Sequence, residues 1–395
     1  MTTRRLVLSR SAALIGAAST GLLLPQIARA QGAKVRVGLM LPYTGTFAQL
    51  GVAIENGFRM ALDEQGGKLG GREIEWFKVD DESEPAKGVE NANKLVQRDK
   101  VDVLVGTVHS GVQMGIQRVV RDSGTLSLIP NAGVHAATRA LCAPNVFRTS
   151  FSNSQPTRAL GQAMVAKGHK KAVWITWKYA AGDEAFEGFK ESYTAAGGTI
   201  VKELGLPFPN VEFQALLTEI ASLKPDAVAC FFAGGGAAKF IRDYAAAGLK
   251  GKIPLYGSGF LTEGVLDAAG PAADGIITTM HYSDSLDTPR NRKFRLDYAK
   301  TFRMQPDVYA VQGYDTGLLL VQGANAVKGD LSAKPALYKA MEGAVIDSPR
   351  GKWTMSKSHN PVQDIYLRQV ENKENKVIGV AAKALADSGA GCKMG

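Results

Sequence analysis

From residue 35 onward, β-branched apolar runs alternate with stretches of helical periodicity, and this alternation constrains the fold more than any other feature of the 395-residue chain. Residues 35–41 read as a strand, 49–64 as a helix through Ile54, Phe58, Met60 and Leu62, 74–79 as a strand and 85–97 as a helix. A β-α-β-α-β order predicts a parallel sheet with helices on both faces. The pattern continues through 101–133, with a strand at 101–105, a turn at 106–110 and a helix carrying Val112, Ile116, Val119 and Val120. A further strand, 126–129, ends in Pro130 and Asn131. In an open parallel sheet, strand ends and the helix start between them face one crevice. The unpaired N–H groups of that helix start, with Ser110 beside them, suit a carboxylate or phosphate. A purely capping role explains Ser110 equally well, and a cap at a cleft can also hold an anion.

Residues 145–150 and the polar run 152–155 read as a crossover, after which the alternation restarts. Helices at 156–167, 213–223 and 237–247 are interleaved with strands at 172–176, 199–206, 227–232, 253–256 and 275–280. The polar stretch 281–289 reads as a return crossing. Helices at 291–303, 310–328 and 334–342 then complete the first unit, and late strands fall at 351–355 and 365–370. The expected fold is α/β, with two discontinuous Rossmann-like lobes joined by a three-crossing hinge. One lobe takes residues 33–149 and 283–351, the other 150–282 and 352–395.

The N-terminus carries an address. A twin-arginine pattern, Thr3-Arg4-Arg5-Leu6-Val7-Leu8, precedes a modestly apolar run at 12–24 and the small-x-small triplet Ala28-Arg29-Ala30. This predicts an export leader over residues 1–30, cleaved after Ala30, and a periplasmic mature protein. The run is too short, and too diluted by Gly16, Ser19, Thr20 and Gly21, to read as a membrane span. Without Arg4, Arg5, Arg10 and Arg29 the net charge of +10 falls to +6, and the remaining basic residues are scattered. Nucleic-acid binding is therefore not expected.

His135, His169, His281 and His359 show no ligand spacing, and the acidic run 80–84 reads as a solvated loop, so no metal is expected. The glycines at 234–236 and 257–259 form no dinucleotide fingerprint, and no cofactor is expected. An enzyme built on Ser110 and His109 is disfavoured, because adjacent residues seldom reach nucleophile–base geometry and no G-x-S-x-G elbow is present. Cys230 lies in an apolar run and reads as a buried small hydrophobe. Cys142 and Cys392 are candidates for a disulfide that pins the C-terminus, a pairing the residues leave open.

Taken in order, VGLMLPYTGTFAQLG, the glycines of 66–71, DDESEPAKG, KYAAGDE, FFAGGG and VYAVQGYDTGLLL resemble one family along essentially the whole chain after the leader. It is the type I periplasmic substrate-binding proteins of ABC transporters, branched-chain amino-acid-binding group. The resemblance implies two lobes that close on a small carboxylate ligand and deliver it to an ABC permease in the inner membrane. It implies a binding protein rather than an enzyme, and a monomer is expected. On the resemblance, the carboxylate site maps to Ser110 and Gly111, with His109 just before, and to Asn131 and Gly133 flanking Ala132. Tyr179 matches a second-lobe tyrosine that closes over the ligand.

Two positions depart from the family pattern. The acid expected against a ligand ammonium falls at Phe260, with Glu263 three residues on, and the aromatic expected after the FFAGG turn is Gly236. Burying an ammonium without a carboxylate costs several kcal/mol, so this pattern favours a carboxylate lacking an amine. Tyr43, Phe47, Phe260 and Tyr309 supply aromatic area. The expected ligand is an aromatic or other hydrophobic organic acid. The alternative is a branched-chain or other amino acid, with Glu263 or Asp284 supplying the charge. A ligand sensor serving a membrane receptor is a further alternative.

Overall fold

The computed structural model describes residues 33–394, so the expected leader and its cleavage after Ala30 lie outside the described residues. The first sheet holds β1 (Val35–Leu41), β2 (Lys68–Leu69), β3 (Arg72–Asp80), β4 (Val103–Val105), β5 (Leu126–Ile129) and β6 (Val146–Arg148), in the order β2-β3-β1-β4-β5-β6. All neighbours are parallel except the β2–β3 hairpin. Six of the seven residues of β1 are buried, as a strand covered on both faces requires. Between the strands run α1 (Ala48–Asp63), α2 (Pro85–Asn93) and α3 (Ser110–Ser123). Gly124 ends α3 in the left-handed conformation, a common helix stop.

The chain then builds a second sheet through α4 (Ser154–Ala166), β7 (Lys171–Lys178), α5 (Ala180–Ala195), β8 (Thr199–Pro207) and α6 (Gln214–Leu223). It continues with β9 (Ala227–Phe231), α7 (Gly234–Ala246), β10 (Leu255–Ser258), α8 (Leu266–Ala269) and β11 (Ile277–Met280). Three helices follow, α9 (Pro289–Phe302), α10 (Val308–Ala326) and α11 (Lys334–Glu342). The last two return to the first sheet, where Leu319, Leu320, Leu337 and Met341 share a core with Val35, Val37, Val103 and Leu128. Gly57 on α1 and Gly313 on α10 let those helices touch backbone to backbone. A Cβ at either would sit 1.9 Å from a carbonyl oxygen, of Ala310 and Ile54 respectively.

Four late strands, β12 (Val345–Ser348), β13 (Gly351–Met355), β14 (Pro361–Glu371) and β15 (Glu374–Leu385), complete a nine-stranded sheet. Its order is β12-β13-β14-β11-β10-β9-β7-β8, with β15 on β14, and the β11–β14 and β14–β15 pairings are antiparallel.

Several elements differ from the sequence reading. The 145–150 crossover contains β6, whose three residues are all buried. Strand β15 escaped notice because, as an exposed edge, it carries no regular apolar alternation. The 80–84 run is not simply solvated: Asp81 is fully buried, accepts the Ser83 N–H at 2.9 Å, and is pushed up to about 7 by that burial. Cys142 and Cys392 are joined in a disulfide across 250 positions, and Cys230 is buried and free.

Candidate functional site

The site forms where β4 and β5 end. The Ala132 N–H donates to the Thr107 carbonyl at 2.9 Å and ties the two strand-end loops together. His109, not Ser110, is the residue capping α3, and its side chain makes no capping bond. Ser110 is the first helical residue, so its N–H and those of Gly111 and Val112 have no intrahelical acceptor. The Ser110 Oγ accepts from Asn153 Nδ2 at 3.2 Å, and Asn131 Nδ2 donates to Gln312 Oε1 at 2.6 Å. Gly133 fits where nothing larger can: a Cβ there would lie 2.3 Å from Asn153 Oδ1 and 2.7 Å from the Phe151 ring.

These groups border a small, tightly closed cavity. Phe47, Leu50, Val108, Ser110, Asn131 and Gly133 line one side, and Tyr179, Ala181, Phe231, Ala233 and Phe260 the other. Phe151 and Asn153 come from the crossing segment and Tyr309 from α10. Phe260 lies 4.7 Å from Phe151, 6.0 Å from Tyr309 and 6.1 Å from Phe231, ring centre to ring centre. The Tyr309 hydroxyl is buried with no hydrogen-bond partner among the described residues. The lining therefore has a polar end of neutral donors and an aromatic end. No Asp, Glu, Lys, Arg or His is among the lining residues.

The two halves meet over this cavity. His109 and Tyr179 stack at 4.7 Å with an 11° tilt, and Phe47 packs against Phe208 at 5.2 Å. The start of α7 approaches Thr46 so closely that a Cβ on Gly234 would lie 2.6 Å from its carbonyl oxygen. Beside the cavity, Glu184 on α5 takes the His135 N–H on both oxygens, at 3.0 and 2.9 Å, and Asn153 Nδ2 at 2.8 Å. Burial raises the Glu184 carboxyl to about 7.

The structure thus brings Phe47, Ser110, Asn131, Gly133, Tyr179, Phe260 and Tyr309 to one cavity and leaves the other expected residues out of its lining. His109 stands behind the wall, and burial pulls its imidazole down to about 4, leaving it neutral at pH 7. Gly111 is pressed under that ring, 2.9 Å from His109 Cε1 to an added Cβ, and Ala132 serves as the backbone tie. Tyr43 is elsewhere: its N–H donates to Asp80 and its ring lies under Lys78, 3.7 Å from the ammonium.

Glu263 also turns away. It pairs with the buried Arg368 and accepts the Val308 N–H at 3.0 Å, so it does not reach the cavity. Nor does Asp284 line it. The missing aromatic at Gly236 has a physical counterpart, because a Cβ there would lie 2.3 Å from the Trp177 indole, which fills that space. The sequence reading missed Phe151 and Asn153, which sit in a polar crossover with no periodic signal, and the apolar strand-end residues Val108 and Phe231.

Comparison with known proteins places this geometry. The sequence profile of the periplasmic binding proteins matches residues 34–375. A Leu/Ile/Val-binding protein homolog of Brucella abortus is 29% identical over 350 residues, covering 86% of this chain and 88% of its own. A solute-binding protein of an ABC transporter from R. palustris, solved in complex with benzoate, is 53% identical. It superposes with a TM-score of 0.89 over 91% of this chain and 100% of its own. A second solute-binding protein, from Rhodopseudomonas palustris BisB5 and solved with 3,4-dihydroxybenzoic acid, is 30% identical with a TM-score of 0.85. It covers 90% of this chain and 99% of its own.

Proposed function

The chain belongs to the periplasmic binding proteins, the solute receptors of ABC importers, and from that premise we propose that its ligand is an aromatic carboxylate of benzoate type. It acts in the periplasm as a receptor rather than an enzyme and passes a small molecule to an ABC permease. One observation carries the ligand assignment: the cavity has neutral donors at one end, aromatic rings at the other and no carboxylate in its wall. An α-amino acid would bury its ammonium without a counter-charge, at a cost of several kcal/mol. A ring carboxylic acid places its charge at Ser110 and the α3 N-terminus, where helix dipole and free N–H groups favour an anion. The benzoate and dihydroxybenzoate complexes of the two similar solute-binding proteins support the same class. The names of the Leu/Ile/Val-binding relatives favour the amino-acid reading instead.

The finer organisation is part of the proposal. Residues 33–149 with 283–351 form one lobe and 150–282 with 352–395 the other. The mature receptor starts after Ala30, works as a monomer, and has no nucleic-acid partner.

A thermal-shift screen of the chain from Gln31 onward, against ring carboxylates and branched-chain amino acids, tests the assignment. A ligand at about 100 times its Kd adds about 2.7 kcal/mol of stability. A melting shift with benzoates alone is the expected result; a shift with leucine, isoleucine or valine alone refutes the aromatic assignment. The closure contact gives a kinetic test. Tyr179→Ala removes the ring stacked on His109. Such contacts are worth about 0.5–1.5 kcal/mol beyond area burial, so stopped-flow should record benzoate leaving several-fold faster. An unchanged off-rate would contradict the lid role.

A further inference from the structure

We infer that Asn153 is a positioning residue that aims the Ser110 hydroxyl proton at the ligand carboxylate and joins anion capture to lobe closure. The inference rests on the carboxylate reading above. Asn153 lies on the crossing between β6 and α4, and 4% of its surface is exposed. Its amide orientation follows from its neighbours. Glu184 takes the His135 N–H on both oxygens and, ionised, can only accept, so the atom the carboxylate form holds at 2.8 Å is the Asn153 donor nitrogen. The same Nδ2 is 3.2 Å from Ser110 Oγ. One amide proton therefore goes to the carboxylate and the other to the serine oxygen.

A hydroxyl that accepts at its oxygen still has its own proton to place. With one lone pair taken by Asn153, the Ser110 O–H is left to donate into the cavity whose wall it forms. There a carboxylate oxygen is the natural acceptor. The amide is held on its other side too, because the Asn153 backbone N–H donates to the Gly133 carbonyl at 2.8 Å.

The partners of this amide belong to different parts of the chain. Ser110 begins α3 and His135 follows β5, both beside the first sheet, whereas Glu184 rides on α5, which packs on β7 of the second sheet. Asn153 leads into α4, which packs on α5, so opening the lobes would carry the Asn153–Glu184 pair away from the His135 N–H and the Ser110 hydroxyl. The amide would keep the acceptor that fixes its orientation, but Ser110 would lose the donor that directs its proton. Capture of the anion and closure of the cleft form one hydrogen-bonded unit.

Isothermal titration with benzoate, and with benzamide as its uncharged counterpart, tests this on wild type, Ser110→Ala, Asn153→Ala and the double variant. Each single change is expected to weaken benzoate roughly tenfold, the usual cost of a lost charge-assisted bond. Because the two residues act together, the double variant should bind within about threefold of the weaker single one. Asn153→Ala should also lower the benzoate-to-benzamide affinity ratio, which a merely structural role would leave unchanged. Asn153→Ser, small and polar, repeats the measurement if the alanine variant melts early.

Additive losses near a hundredfold, an unchanged affinity ratio, or wild-type affinity in both Asn153 variants would overturn the inference while leaving the ligand assignment standing. If the wild type itself ignores benzoate and its ring-substituted relatives, the assignment fails and the inference falls with it.

Discussion

Phe260→Asp should reduce benzoate affinity at least a hundredfold, the largest ligand effect expected of any single change in this chain. Phe260 is 4% exposed and forms the centre of the aromatic end, with Phe151, Phe231 and Tyr309 around it. Removing a buried Phe ring typically costs about 3–5 kcal/mol of packing, part of which the bound ligand shares. The new carboxylate adds a second penalty, since it would sit among rings and face a ligand of the same sign. The guanidinium of Arg368, which bonds the carbonyl of the neighbouring Gly259, already serves Glu263, the Tyr282 carbonyl and Thr278 as well, so little of it is left to compensate. Phe260→Leu keeps an apolar wall and should weaken benzoate about tenfold or less. Titration calorimetry with benzoate and with leucine reads both outcomes. Benzoate binding unchanged in Phe260→Asp would mean that the ring lies elsewhere, and leucine binding gained in that variant would show that one side chain sets the ligand class.

How far the residues alone reached depends on what kind of signal each carries. The first sheet was legible because β1, β4 and β5 are buried runs of Val, Leu and Ile bounded by turn residues. That Ser110, Asn131 and Gly133 gather at one cavity was legible for the same reason, since they lie just beyond strand ends, where a parallel sheet opens its crevice. Asn153 and Phe151 were not, because a crossover has neither the period of a helix nor that of a strand. Gly236, on α7, reads as a lost aromatic, but Trp177 on β7 fills its space. Side-chain partners far apart in sequence leave no local trace, and the pairing of Glu263 with Arg368, separated by 105 positions, is of that kind. Read locally, Glu263 was a spare carboxylate near Phe260; read in three dimensions, it is already spent.

That distinction makes Glu263 the second test with a large expected effect, on stability instead of affinity. Arg368 is wholly buried and Glu263 is 4% exposed, and the glutamate also receives the Val308 N–H at the first turn of α10. A buried pair of this kind adds little when intact, because desolvation offsets the attraction, but removing one partner strands the other charge at about 3–5 kcal/mol. Glu263→Ala should therefore lower the melting temperature by roughly 5–15 °C. Glu263→Gln keeps an acceptor for Val308 and should lose less. Replacing both partners with apolar residues of similar size, Glu263→Met with Arg368→Leu, should recover most of the loss, since no unpaired charge remains. Benzoate affinity, measured well below each variant's melting point, should stay within a few-fold of wild type, because neither group lines the cavity. A Glu263→Gln protein that melts like wild type but changes its ligand preference would reverse the argument. The carboxylate would then face the ligand, and the amino-acid reading would be the stronger one.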